Sequence, residues 1–168
     1  MCHMSKMKRA ANAADDDHPS LRKAQDKAVK ILDDLFPRIS FAVDENTSLI
    51  LDALRRPTHN SRVAIARTVI EAVMSSPDMF PVAEFYEGTW REIYFRPEQK
   101  KSGMQLTLPR EFSIYLRKAS KQVLGEENRS EFFRLLVALY AMKIGVLECV
   151  STVGKELRVK DLRGRQSR

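Results

Sequence analysis

The chain has 168 residues, 43% of them hydrophobic and 30% charged, a balance typical of a folded globular protein and too apolar for general disorder. No apolar run approaches the roughly 18–20 residues that a membrane-spanning helix needs, and no secretory signal is recognisable at the N-terminus. The net charge of +7 is concentrated in residues 100–168, where 15 basic residues face 7 acidic ones, and this asymmetry favours a polyanion or an acidic protein as the partner.

The N-terminal region divides into an arm and a helix. Residues 1–18 are rich in small and charged residues, and we expect a disordered arm there. Residues 19–36 form a predicted leader helix with Pro19 in its first turn. Its apolar residues recur at helical spacing on one face: Leu21, Ala24, Ala28, Ile31, Leu32 and Leu35.

Residues 37–75 have the pattern of one strand followed by two helices. In "RISFAVDE", Ile39, Phe41 and Val43 alternate with Arg38, Ser40 and Ala42, which predicts a strand with one buried face. The next segment, "NTSLILDALRR", is a predicted helix. The second helix is "SRVAIARTVIEAVMSS".

Polar residues at the two helix starts are the predicted caps. Asn46 or Thr47 can cap the first helix, and Ser61 the second. The second helix is expected to bury Val63, Ala66, Ile70 and Val73. Residues 76–102, with three prolines and many aromatic residues, form a predicted connector packed on the body.

Residues 103–145 repeat the order of strand, helix and helix. In "GMQLTLPREF", Met104, Leu106 and Leu108 alternate with polar or small residues up to Pro109. The helix "REFSIYLRKASKQVLG" ends at a glycine, and the helix "NRSEFFRLLVALYAMKIG" begins at Asn128 or Ser130. Residues 146–168 are a predicted basic tail, in which "VLECVSTV" could add a short element and "GKELRVKDLRGRQSR" is expected to be mobile.

The repeat supplies each strand with a partner. A single strand leaves both of its edges without hydrogen bonds, so it needs a second one. Val43 aligns with Leu108 at an offset of 65 residues, and the elements then recur in the same order. We therefore predict that strand 38–44 pairs with strand 103–109 within the chain.

This arrangement resembles the ribbon-helix-helix family of DNA-binding proteins, of the Arc and MetJ type. The resemblance rests on "MQLTLPREF" and "NRSEFFRLL", and two copies in one chain are similar to the tandem TraY-type conjugation proteins. It implies an α+β, mostly helical fold in which two units form an intramolecular pseudo-dimer with a two-stranded antiparallel ribbon. In that family the ribbon enters the major groove of DNA.

The resemblance also implies which residues contact DNA. Every second side chain of the ribbon faces the base edges. The base-reading positions would be Arg38, Ser40, Ala42, Gly103, Gln105 and Thr107. The start of each second helix would bind a backbone phosphate. The phosphate-binding positions would be Asn60, Ser61, Arg62, Asn128, Arg129 and Ser130.

The implied function is sequence-specific binding of double-stranded DNA, as a transfer-origin accessory factor or a transcriptional repressor of a plasmid, phage or other mobile element. A relaxase is the protein partner that this setting suggests. The protein would be a cytoplasmic monomer with an internal pseudo-dimer that allows higher assembly on DNA. Two alternatives stay open: a protein-interaction module such as an antitoxin, and a single-stranded nucleic-acid binder that stacks bases on Trp90, Tyr94 and Phe95.

Enzymatic and metal chemistry find no support in the sequence. It lacks a phosphate-binding loop, a G-x-S-x-G motif and an H-E-x-x-H motif, so we predict no enzyme. His3, His18 and His59 are not spaced as ligands, and we expect neither a metal nor another cofactor. Cys2 and Cys149 are too poorly placed for a structural disulfide.

Overall fold

The computed structural model describes residues 19–91, 101–151 and 155–159, except for the side chains of 149–151 and 155–159. The chain is α+β and mostly helical, as predicted, and the described residues form two two-stranded antiparallel sheets. The helices are α1 (Pro19–Leu35), α2 (Glu45–Arg55), α3 (Arg62–Ser75), α4 (Val82–Phe85), a π-helical turn (Tyr86–Trp90), α5 (Arg110–Leu124) and α6 (Arg129–Lys143). The strands are β1 (Arg38–Asp44), β2 (Lys101–Thr107), β3 (Leu147–Ser151) and β4 (Lys155–Val159).

The predicted pairing of the two distant strands is confirmed. β1 pairs with β2 in antiparallel register, with Arg38 opposite Thr107 and Asp44 opposite Lys101. β2 begins and ends two residues earlier than the predicted strand. Leu108 lies just beyond it, and its backbone N–H donates to the carbonyl of Pro37 at 3.3 Å, which extends the contact between the strands.

The inner face of this ribbon covers the main hydrophobic core. Ile39, Phe41 and Val43 are buried, as is Leu106 on the opposite strand. The ring of Phe41 packs against that of Phe133, with 4.6 Å between the ring centroids. Strict alternation thus divides the ribbon into one apolar face and one exposed face.

α6 is the central helix of this core. It packs against α2, α3, α5 and β1. Phe132, Phe133 and Leu136 are fully buried, and every residue from Phe132 to Leu139 is buried. Such a helix is apolar on nearly all sides because other elements surround it.

Two of the three predicted helix caps are correct. Ser61 caps α3 by accepting the N–H of Ala64 at 3.1 Å, and Asn128 caps α6 by accepting the N–H of Glu131 at 3.0 Å. The cap predicted for α2 at Asn46 or Thr47 is wrong, because Asp44 accepts the N–H of Thr47 at 2.7 Å.

The helix α5 begins directly after Pro109, which provides no side-chain cap. Its end is as predicted: Gly125 has φ 81°, in the left-handed region that glycine adopts without steric cost. One residue of α3 departs from the expected face, since Val63 is 43% exposed. It lies in the first turn, beyond the reach of the core.

The predicted connector packs on the body by way of helical turns. Phe85 and Trp90 are buried, and the indole Nε1 of Trp90 donates to Oε1 of Glu131 on α6 at 2.7 Å. Residues 92–100 lie outside the described residues.

The C-terminal segment corrects a prediction. β3 and β4 pair in antiparallel register, with Leu147 opposite Val159; β3 lies where a short element was possible, whereas β4 lies where a mobile tail was expected. Two short runs of strand-forming residues flank Gly154 in the sequence, and pairing satisfies the backbone of both. The predicted arm at 1–18 and residues 160–168 lie outside the described residues.

Candidate nucleic-acid interface

The outward face of the ribbon carries all six predicted base-reading residues. They form three cross-strand pairs: Arg38 with Thr107, Ser40 with Gln105, and Ala42 with Gly103. Five of the six are exposed, and Ala42 is partly buried. The structure therefore brings these positions together on a single solvent-facing surface.

The free edge of the ribbon is fixed to the start of α6. The backbone N–H of Ala42 donates to Oγ of Ser130 at 2.9 Å. In a two-stranded sheet this edge of β1 has no strand beside it, so Ser130 supplies a partner that a third strand would otherwise provide. The contact also holds the N-terminus of α6 at the edge of the ribbon.

Arg129 lies next to Ser130, at the helix start that this contact fixes. It is the first residue of α6, its side chain is exposed, and within the described part of the chain it makes no ion pair. The first turn of a helix presents free backbone N–H groups and the positive end of the helix dipole, which favour an anion. Arg129 adds a cation at a place where the cap Asn128 already satisfies one of these groups.

The corresponding start of α3 is arranged differently. Arg62 forms a two-point ion pair with Asp52 of α2, with Nε to Oδ1 at 2.8 Å and Nη2 to Oδ2 at 2.5 Å. The hydrogen bond from Arg62 is the main reason that the pKa of Asp52 lies below its usual value, and the same bond raises the pKa of Arg62. The nearby Asn60 donates its backbone N–H to Oγ1 of Thr58 at 3.4 Å. Arg62 is therefore engaged within the protein.

A groove of about 460 Å³ extends beside the second unit. Three arginines of α5 and α6, Arg110, Arg117 and Arg129, line it and are exposed. Asp33 and Asp34, at the end of α1, are also among its lining residues. The sequence did not single out Arg110 or Arg117, although each lies on the polar face of a strongly amphipathic helix.

Beneath the ribbon lies a buried ionic network that the sequence analysis missed. Nη1 of Arg134 on α6 lies 3.3 Å from Oδ2 of Asp44, and a second nitrogen of the same guanidinium contacts Glu131. Arg134 is 7% exposed and Asp44 is 1% exposed. The signal was in the sequence: a single arginine within "FFRLLVALYAM" is surrounded by apolar residues and must have a buried partner.

This network links three distant parts of the chain. Asp44 ends β1 and caps α2, Glu131 lies in the first turn of α6, and Trp90 of the connector donates to Glu131. Because Ser130 binds the ribbon edge from the same turn of α6, the network holds that turn from beneath while Ser130 ties it to the ribbon. The network therefore serves to position the first turn of α6.

The hypothesis that nucleic-acid bases stack on Trp90 is wrong. Trp90 is 1% exposed, and its ring packs near Phe85, with 6.1 Å between the centroids. A base cannot stack on a ring that other side chains cover. Tyr94 and Phe95, the other aromatic residues of that hypothesis, lie outside the described residues.

No group of three or more His, Cys, Asp or Glu side chains in the described parts of the chain has the arrangement needed to hold a metal ion. Among the described helices, none combines the length and the apolar character that a bilayer crossing requires.

Comparisons with known proteins do not name a family. No family model, no curated protein and no solved structure matches the chain. The ribbon-helix-helix resemblance therefore remains a hypothesis, which rests on the order of the elements and on the exposed ribbon.

Proposed function

We propose that this protein binds a specific double-stranded DNA site with its β1–β2 ribbon, as a tandem ribbon-helix-helix protein whose two units form an intramolecular pseudo-dimer. The observation that carries the proposal is the ribbon itself. One face is buried on the core, and the opposite face presents Arg38, Ser40, Gln105 and Thr107 to solvent. A two-stranded ribbon has the width that the major groove admits.

The exposed side chains have suitable chemistry for reading bases. An arginine can bind O6 and N7 of guanine, and a glutamine can bind N6 and N7 of adenine. Gln105 lies directly opposite Ser40, and Thr107 opposite Arg38, so two adjacent cross-strand pairs offer hydrogen-bonding groups. Each good pair with a base discriminates by about 1–3 kcal/mol.

The second unit would provide most of the phosphate contacts. Ser130 holds the start of α6 at the ribbon edge, and Arg129 is exposed there. Arg110 and Arg117 line the same groove as Arg129. Arg62 of the first unit is already paired with Asp52, so the proposed DNA contact is asymmetric.

The biological setting of the proposal is a mobile element. Tandem proteins of the TraY type, which this chain resembles, belong to conjugation systems, and a relaxase would then be the protein partner. Repression of an operon is the other role that the same DNA contact would serve.

Selection from a random duplex pool, followed by sequencing, tests the proposal at about 150 mM salt, where nonspecific phosphate binding is weakened. The wild type is compared with the double variant Gln105→Ala, Thr107→Ala. The matched control is Gln122→Ala, Thr68→Ala, which removes the same two residue types from exposed positions on α5 and α3.

We expect the wild type and the control to enrich one compact motif, and the ribbon variant to lose part of it. A ribbon variant that enriches the complete motif would mean that Gln105 and Thr107 do not read the bases, and loss of the motif in the control would show that the effect is not specific to the ribbon. If no motif is enriched and binding only fades with salt, the proposed function is wrong and the basic surface is merely adhesive.

One observation favours the protein-interaction alternative. The third cross-strand pair, Ala42 and Gly103, has no side-chain hydrogen-bonding group, so one third of the reading face carries no base-specific chemistry. Charge reversal by Arg129→Glu discriminates between the two functions. It should weaken DNA binding under the first proposal and leave the partner contact unchanged under the second.

A further inference from the structure

α1 has an apolar face that is exposed along its whole length. None of its 17 residues is buried. Leu21, Ile31, Leu32 and Leu35 are between 49% and 60% exposed. Single exposed apolar residues are ordinary, but a continuous stripe on one helix marks an interaction surface.

The stripe has the spacing of a coiled-coil seam. Leu21, Ala24, Ala28, Ile31 and Leu35 are separated by three, four, three and four residues, which are the a and d positions of successive heptads. This pattern favours another helix as the occupant of the face.

We propose that α1 pairs with α1 of a second copy of the chain, in antiparallel orientation. Placing Ala28 opposite Ile31 of the second copy also places Ala24 opposite its Leu35. The four layers formed by Ala24, Ala28, Ile31 and Leu35 then each join a small side chain to a large one and fill evenly, while Leu21 lies beyond the end of the partner helix. A parallel pair would instead set Ala24 against Ala24 and Ala28 against Ala28, which leaves two adjacent layers thin.

Charge favours the same arrangement. Lys27 and Asp34 both flank the seam at g positions, and g positions face each other in an antiparallel pair. In the register given above, Lys27 of each copy meets Asp34 of the other, a residue that also lines the arginine groove of its own chain, so the two-fold axis generates two ion pairs. In a parallel pair, Lys27 would lie beside Leu32.

The charges on α1 suit a contact with a second copy of the chain better than one with a membrane surface or a nucleic acid. Four basic residues, Arg22, Lys23, Lys27 and Lys30, are nearly balanced by three acidic ones, Asp26, Asp33 and Asp34. Helices that bind anionic surfaces carry a strongly basic polar face. A surface with both charges suits a self-complementary contact between identical chains.

The proposed contact between the two α1 helices is small, and its area limits the affinity of the dimer. A helix of this length spans about 26 Å. Two such helices bury less than the roughly 1,200–2,000 Å² of a standard stable interface. We therefore expect a weak dimer whose population rises with concentration, and antiparallel pairing would hold the two bodies at opposite ends of the helix pair.

Sedimentation equilibrium of the full chain, without DNA, tests this inference independently of the proposed function. The wild type should dimerise increasingly from low micromolar to the highest soluble concentration, and Ile31→Lys should remain monomeric throughout. Because α1 contributes nothing to the core, the urea unfolding midpoint of the variant should equal that of the wild type measured at a monomeric concentration. Asp26→Asn, on the opposite face, is the control and should dimerise like the wild type.

A charge exchange tests the orientation. Lys27→Asp and Asp34→Lys should each weaken dimerisation by roughly tenfold, since each creates two like-charged contacts. The double variant should recover wild-type affinity. A wild type that stays monomeric at every concentration, or an Ile31→Lys variant that dimerises normally, overturns the proposal, and failure of the double variant to recover overturns the antiparallel register.

Discussion

The two strand–helix–helix segments of the chain differ most at the point where the strand gives way to the first helix. Asp44 in the first segment and Pro109 in the second stand 65 residues apart, at corresponding places. Asp44 caps α2 with its carboxylate, whereas Pro109 precedes α5 without a side-chain hydrogen bond. Only the first segment therefore has an ionisable group at this junction.

Asp44 has a second role that joins the segments. Its carboxylate contacts Arg134, which belongs to α6 of the other segment. The cap of one segment is thus the buried anchor of the other, and no equivalent contact is available to a proline. The two segments have similar sequence patterns but different tasks: Asp44 of the first supplies the buried anchor, and the second has at its α6 start an arginine, Arg129, that makes no ion pair within the described residues.

Among the variants that test this division, Arg134→Ala should have the largest effect on stability. Removing the guanidinium leaves the buried carboxylate of Asp44 without its cation, a change that typically costs about 3–5 kcal/mol. The free energy of unfolding from urea denaturation measures it. Arg67→Ala, at an exposed position on α3, should stay within about 0.5 kcal/mol of the wild type. A loss below about 1 kcal/mol at Arg134 would contradict the anchoring role.

The next largest effect compares the two junction residues directly. Asp44→Ala removes a helix cap and leaves Arg134 with Glu131 alone, so we expect a loss of about 2–4 kcal/mol. Pro109→Ala removes no side-chain hydrogen bond and should cost less than about 1 kcal/mol. Equal losses in urea denaturation would show that the two junctions are equivalent after all.

Local patterns predicted the ribbon and most helix starts because those features depend on few residues. The alternation of Ile39, Phe41 and Val43 determines which face of β1 is buried, and Ser61 caps the helix that follows it. The Asp44–Arg134 contact spans 90 residues, and nothing local identifies the partner. The α2 cap was misplaced for a related reason, since Asn46 and Thr47 also suit a cap and only the chain direction at Asp44 decides.

For the candidate interface, the sequence predicted which residues lie at the two helix starts, but not which of them are already paired within the protein. Arg62 and Arg129 have the same place in the repeat, and both were expected to bind phosphate. What separates them is Asp52 on α2, which pairs with Arg62 across a turn. Such pairing depends on the angle between two helices, which periodicity does not reveal.

Under the proposed function, the same two arginines should differ in DNA binding. Arg129→Ala should weaken binding by several-fold and reduce the slope of log affinity against log salt by about 1, as expected for one lost phosphate contact. Arg62→Ala changes the net charge equally and is the matched control. It should alter the slope less, because its guanidinium is held by Asp52. Equal slopes for the two variants would mean that both segments contact phosphate.

The smallest effect concerns the Asp52–Arg62 pair itself. Its side chains are 26% and 45% exposed, so Asp52→Asn should cost at most about 1 kcal/mol near neutral pH. The pKa of Asp52 is lowered in the folded state, so its contribution is present at pH values above the unfolded-state pKa and is lost as the pH falls through the folded-state pKa. Urea denaturation at several pH values should therefore show a difference between variant and wild type that disappears in acid. A difference that persists below that pKa would assign the stabilisation to packing of the two side chains and not to their charges.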